Sequence, residues 1–260
     1  MIGLAAATLA GVQGQVLFDQ NFSSATALGS YISATPDSGQ WNAIGTSGAG
    51  VTVSVAANNL AFTRAAANTG SFSRTADFTP PPTTMIYRFD LSVSGNTLAA
   101  TSAAVWQLGS GFGTANSAEV NATTYARFAL NLTATDGTFQ IRDIQNLVNS
   151  GDLSGTQSIM WVLNNSGAAF SYISPLGTTS TVADDSADIW AGTSLLFSNV
   201  AVTTPTQTLA DLKFSLSGGS GTITMDNFQI SVPEPRSFLL IGVGSCFALW
   251  CMRRRRRADI

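Results

Sequence analysis

The sequence predicts an all-β fold: a single β-sandwich of jelly-roll type, followed by one C-terminal transmembrane helix. Three observations predict it. Short segments with apolar and polar residues alternating at period two recur along the 260 residues. Turn-forming groups rich in Gly, Asn, Asp and Ser separate those segments. No apolar period of 3.6 is sustained until the tail, where an apolar run meets a block of arginines.

The strands can be justified in order. VTVSV at 51–55 and LAFT at 60–63 are short alternating segments. MIYRFDLSV at 85–93 is the clearest, with Met85, Tyr87, Phe89, Leu91 and Val93 on one face and Ile86, Arg88, Asp90 and Ser92 on the other. AVWQL at 104–108, RFALNLT at 127–133 and FQIRDI at 139–144 follow. IMWVL at 159–163 is apolar throughout, as a strand buried on both sides should be. SLLF at 194–197 and LADLKFSL at 209–216 come next, the latter setting Leu212, Phe214 and Leu216 against Asp211, Lys213 and Ser215. In ITMDNFQI at 223–230 the phase slips: Ile223 and Met225 are odd, Phe228, Ile230 and Val232 even. Either a bulge near Asp226 and Asn227 resets it, or Asp226 shares the face of Phe228 and needs a partner there. Asp136-Gly137, Ser150-Gly151, Asn165-Ser166-Gly167, Pro175-Leu176-Gly177 and the Gly-rich run at 218–221 are the turns. The prolines at 80–82 read as a stiff connection between strands.

Composition narrows the chemistry. Between Val16 and Ser231 there are thirteen acidic and six basic residues, whereas the tail from Val232 onward has six arginines. An acidic domain with its only basic cluster at the chain end argues against a nucleic-acid partner. Histidine is absent, and both cysteines, Cys246 and Cys251, lie in the apolar tail. His-assisted Ser or Cys catalysis, His- or Cys-ligated zinc and thiol chemistry are thereby excluded from residues 15–231.

The two ends read as targeting segments. Residues 1–14 form an apolar stretch with small residues at Gly11 and Gly14, which suits a signal peptide cleaved after Gly14. No basic residue precedes it, so either the true start lies upstream, the favoured reading, or the stretch is not a signal. At the other end Val232, Pro233, Glu234 and Pro235 precede an apolar span at about 237–252, which ends in Arg253, Arg254, Arg255, Arg256 and Arg257. The prolines keep the motif extended, and the arginines stay on the cytoplasmic side. The run at 238–252 reaches about 22 Å against a hydrocarbon core of about 30 Å, which suits transient retention. A plain single-pass anchor with a stiff linker is the alternative.

This tail resembles the PEP-CTERM sorting signal of exported Gram-negative bacterial proteins. The resemblance implies an inner-membrane intermediate, processing by an exosortase near the Pro-Glu-Pro motif, and release to the cell surface or extracellular matrix. Separately, VLFDQNF at 16–22 and ITMDNFQI resemble the first and last strands of jelly-roll, lectin-like carbohydrate-binding modules. That resemblance implies a structural calcium clamped between the chain ends, with Asp19 and Asp226 as ligands and backbone carbonyls completing the shell.

Other candidates rest on residue type alone. Trp41, near Gly39 and Gly45, and Trp190, beside an acidic group, are the tryptophans expected at the surface, where they would stack on sugars. Trp106 and Trp161 are expected in the core. Asp184, Asp185 and Asp188 read as a solvated loop. Glu119 is the only Glu before the tail, so a glycosidase or polysaccharide lyase would pair it with an Asp. The leading expectation is a non-enzymatic adhesion or polysaccharide-associated module, with that enzyme or a purely structural matrix protein as alternatives.

Overall fold

A computed structural model of the chain describes residues 14–233. Residues 1–13 of the stretch at 1–14 expected to be a signal peptide, the motif residues Glu234 and Pro235, the span at 237–252 and the arginines at 253–257 lie outside the described residues. Among the described residues no helix is long and apolar enough to cross a membrane.

The described residues hold eighteen strands. The first six are β1 (Gln15–Gln20), β2 (Ala43–Thr46), β3 (Val51–Ala56), β4 (Asn59–Arg64), β5 (Gly70–Arg74) and β6 (Thr84–Ser94). Then come β7 (Ala100–Gly109), β8 (Thr124–Leu132), β9 (Thr138–Asp143), β10 (Val148–Asn149), β11 (Leu153–Ser154) and β12 (Gln157–Asn164). The last six are β13 (Phe170–Ile173), β14 (Thr179–Val182), β15 (Ser186–Ala191), β16 (Ser194–Ala201), β17 (Asp211–Leu216) and β18 (Gly221–Val232).

Two antiparallel sheets make a sandwich. The first runs β16-β15-β12-β6-β18-β4-β3, with β1 also paired to β18. The second runs β10-β9-β8-β7-β17-β5-β2, with β11 on β9. Inward faces of the two sheets meet through aromatic rings. Phe89 of the first sheet stacks on Trp106 of the second at 5.4 Å, and Trp161 meets Phe128 edge-on at 4.9 Å. At the β1 end Trp41 stacks on Phe22 at 5.5 Å and also meets Phe18, Phe72 and Phe228.

The continuous apolarity of 159–163 has a concrete cause. Ile159, Trp161 and Leu163 face the main core. Met160 and Val162 face the other way, into a small cluster with Ile86, Trp190, Tyr172 and Val182. The β13–β14 hairpin lies over that part of the first sheet's outer face and closes the cluster. The phase slip in β18 resolves as a bulge: its pairing with β6 shifts between Asp226 and Gln229, and Asn227 takes a φ of 52°. Both apolar sets, Ile223 with Met225 and Phe228 with Ile230, therefore reach one core.

β17 departs from the expected half-exposed strand, because all six of its residues are buried. The connection at 110–123 folds back over the second sheet's outer face and covers Asp211 and Lys213. Gly109 permits the turn: a Cβ there would sit 2.1 Å from the Thr123 carbonyl oxygen. Beneath the connection Asp211 Oδ2 accepts the Phe112 N–H at 2.8 Å, while its Oδ1 is shielded without a partner. Burial, with Asp77 adding repulsion, pushes the Asp211 carboxyl up to about 6. Between the ordinary carboxylate value near 4 and about 6 the folded state thus holds more protons than the unfolded one. Stability contributed by Asp211 falls as pH rises through that window. Melting curves from pH 4.5 to 7 should show a decline in the wild type that Asp211→Asn flattens.

Candidate functional site

The first sheet's outer face carries a cleft of about 310 Å³ lined by Asp19, Asn21, Arg88, Phe89, Asp90, Ser158, Asn227 and Gln229. Register alone assembles it. Arg88 of β6 lies opposite Gln229 of β18, which lies opposite Asp19 of β1. One row along, Asp90 lies between Ser158 of β12 and Asp226 of β18. The bulge turns Asn227 outward into this group, a positive φ that Asn tolerates better than most residues. Met160 lies opposite Arg88 on the far side, so the cleft borders the hairpin-covered cluster.

Hydrogen bonds fix the cleft's centre. The Asp90 carboxylate accepts from Ser158 Oγ through one oxygen and from Asn227 Nδ2, at 2.8 Å, through the other. Asp226, its cross-strand neighbour, has Oδ1 shielded from solvent without a partner. Burial raises the Asp226 carboxyl above its ordinary range, and the Asp90 charge adds to that, while the Asn227 N–H pulls the other way. Partial burial lowers Arg88. Among the described residues the only salt bridge is Lys213–Glu119, so Arg88 is held by neither Asp90 nor Asp19. The cleft thus offers a five-donor guanidinium, two carboxylates and three amides to a ligand. That set matches a compact molecule dense in hydroxyl groups.

The candidates from the sequence fare unevenly. β1 and β18 pair as neighbours, and Asp19 lines the cleft. Asp226 lies beside it, behind Asp90, and is not a lining residue. Among the described residues no three His, Cys, Asp or Glu side chains converge on one point, and Asp19 and Asp226 lie on the neighbouring strands β1 and β18. Both tryptophans expected at the surface are buried. Trp41 is 0% exposed, enclosed by four phenylalanines, and Trp190 is 4% exposed, its Nε1 donating to Tyr172 Oη at 2.8 Å. Neither can stack on a sugar. Asp188 is no loop residue either: it is buried in β15, with Tyr172 Oη donating to Oδ2 at 2.5 Å and the Asn199 N–H to Oδ1 at 2.7 Å. Val232 still belongs to β18, opposite Gln15, so the strand runs one residue into the tail motif.

Glu119 is not an available catalytic acid. It is ion-paired with Lys213, which is fully buried and also donates to the Gly113 carbonyl at 2.9 Å. Its backbone is clamped by Gln107, through Glu119 N to Oε1 at 2.8 Å and Nε2 to Glu119 O at 3.0 Å. A glycosidase built on Glu119 has no support here. Arg88, Asp90, Ser158, Asn227 and Gln229 escaped the sequence reading. A signal existed: Arg88 and Asp90 occupy successive outward positions of the clearest strand, where solvent alone demands neither charge.

No family model matches the chain, and no curated protein matches it in sequence. Solved structures do resemble it. A carbohydrate esterase from the Shiga toxin-encoding bacteriophage phi24B is similar with a TM-score of 0.51 and 10% identity, over 85% of this chain and 100% of that one. A protein of unknown function with a galectin-like fold from Bacillus subtilis is similar at 0.47 and 9%, over 84% and 96%. The potassium-bound carbohydrate recognition domain of Emp46p is similar at 0.46 and 10%, over 85% and 97%. Two facing antiparallel sheets define the class, an all-β sandwich, and the likeness to the phage esterase agrees with that fold. At such identity the likeness shows fold and nothing further.

Proposed function

We propose that the chain is an exported surface or matrix protein whose sandwich binds carbohydrate without catalysis, through the cleft around Asp90. The observation that carries this reading is the cleft's content: Arg88, Asp90, Asp19 and three amides converge on the outer face of one sheet. Paired donors and acceptors of this kind recognise adjacent hydroxyls. The face beside the cleft continues the theme. Thr52, Thr63, Thr222 and Ser94 form one cross-strand row, and Ser54, Ala61, Thr224 and Ser92 the next. A polyhydroxylated chain lying across the sheet would meet hydroxyls and no charge there.

Binding is favoured over hydrolysis by the state of the carboxylates. Asp90 has both oxygens engaged by Ser158 and Asn227, which fixes it as an acceptor. Asp226, the carboxyl raised by burial, does not line the cleft and cannot hand a proton to a ligand in it. A glycan array probed with the full-length protein in mild detergent tests the reading. Neutral oligosaccharides should bind, and the array repeated in EDTA reads whether an ion contributes to the signal. Binding to no glycan in either condition would refute it.

Export and sorting rest on the tail motif and the arginine block. We assign the membrane and an exosortase as transient partners. Mass spectrometry of the mature C-terminus should find it near Glu234 on surface-exposed protein. Recovery of surface protein still ending beyond Arg257 would instead support simple anchoring.

A further inference from the structure

The second sheet's outer face holds an unused pair of cations. Register aligns Lys213, Gln107 and Arg127 in one row across β17, β7 and β8. The next row is Ser215, Val105, Ala129 and Arg142, reaching β9. Arg127 precedes Ala129 by two residues, so Arg127 and Arg142 are diagonal neighbours on one face, with Cα atoms roughly 7–8 Å apart in such a ladder. The connection at 110–123 covers Lys213 and Gln107, which are fully buried, but Arg127, Val105 and Arg142 keep partial exposure.

Charge accounting singles the two arginines out. Lys213 is neutralised by Glu119, in the only salt bridge among the described residues. Arg142 donates from Nη1 to Asn149 Oδ1 at 2.9 Å, and Asn149 is steadied by Asn131 Nδ2 at 3.0 Å. The Nε of Arg127 is shielded from solvent and has no hydrogen-bond partner. A second carboxylate tied to this face, Asp152, is held by Gln140 Nε2 at 2.7 Å and bridges neither arginine. Two like charges at diagonal spacing repel, and a shielded donor left unmatched is costly in a native structure. One planar anion between them would remove both penalties, since guanidinium forks match carboxylates in a bidentate manner.

We propose that Arg127 and Arg142 form a subsite for a carboxylate borne by an acidic sugar unit. The surroundings favour a sugar over a bare ion. Val105 is a partly exposed apolar residue between the arginines and β17, while the amides of Gln140 and Asn149 border the pair where ring hydroxyls would fall. This subsite lies on the opposite sheet from the Asp90 cleft and does not depend on it.

The test titrates the full-length protein in mild detergent with tetragalacturonate, its methyl ester, and inorganic phosphate. The acid form should bind, and the ester about ten-fold or more weaker, as loss of a charge-assisted pair implies. Arg127→Gln and Arg142→Gln should each weaken the acid form about ten-fold. Added salt should weaken binding further. Should Arg127→Gln fail to fold, the more accessible Arg142→Gln decides alone. Equal affinity for acid and ester, no binding of the acid form, or unchanged affinity in the arginine variants would overturn the proposal. Phosphate binding as tightly as the tetramer would overturn its sugar part and leave an adventitious ion only.

Discussion

Lys213→Ala should destabilise the folded domain by about 3 kcal/mol, the lower end of what breaking a buried ion pair costs. Lys213 is 0% exposed and Glu119 17%, so the carboxylate left behind keeps some access to water and the largest losses are not expected. The substitution also removes the donor to Gly113, loosening the connection at 110–123 over β17. Urea unfolding, following intrinsic tryptophan fluorescence, gives the loss directly. Removing both charges at once, as Lys213→Met with Glu119→Gln, should recover much of it, because no charge then remains buried without a partner. If Lys213→Ala loses less than about 1 kcal/mol, the pair behaves like an exposed one and the covered β17 face is wrong.

Trp41→Ala should be at least as severe, at about 3–5 kcal/mol for truncating a large buried aromatic. Trp41 touches Phe18, Phe22, Phe72 and Phe228, so its removal opens a void where β1, β5 and β18 meet. For a domain of this size the melting temperature should fall by roughly 10 °C. Trp41→Phe should keep most of the packing and leave glycan binding intact. A stacking role at the surface would give the reverse pattern: little loss of stability and a large loss of binding. The two variants together separate core from platform.

What could be read from the chain depended on whether the determinant was local. Period two in MIYRFDLSV and RFALNLT is a local consequence of the pleat, and β6 and β8 follow it. The bulge in β18 was legible for the same reason, as a change of phase between Met225 and Phe228. Burial of the second face was not. Lys213 alternates like a solvent-facing residue, yet a connection about a hundred positions earlier in the chain covers it. Asp188 and Trp190 sit beside turn-formers and look exposed, but the β13–β14 hairpin encloses them through Tyr172. Phe72 is the lone large apolar residue of β5, too little for a pattern, although that strand is buried throughout. The cleft was hidden for a further reason: Asp19, Arg88, Ser158 and Asn227 come from four strands, and register between distant segments brings them together. Asp19 was found by its resemblance to a chain-end motif, and its place in a polar cleft required the pairing of β1, β18 and β6.

The most direct measurement is a calorimetric titration of the full-length protein, and of its Asp90→Asn and Arg88→Gln variants, with whichever neutral oligosaccharide the array selects. Each variant should lose about ten-fold or more in affinity, in keeping with one charge-assisted contact, at unchanged melting temperature. Wild-type affinity in both variants would contradict a carbohydrate site at this cleft.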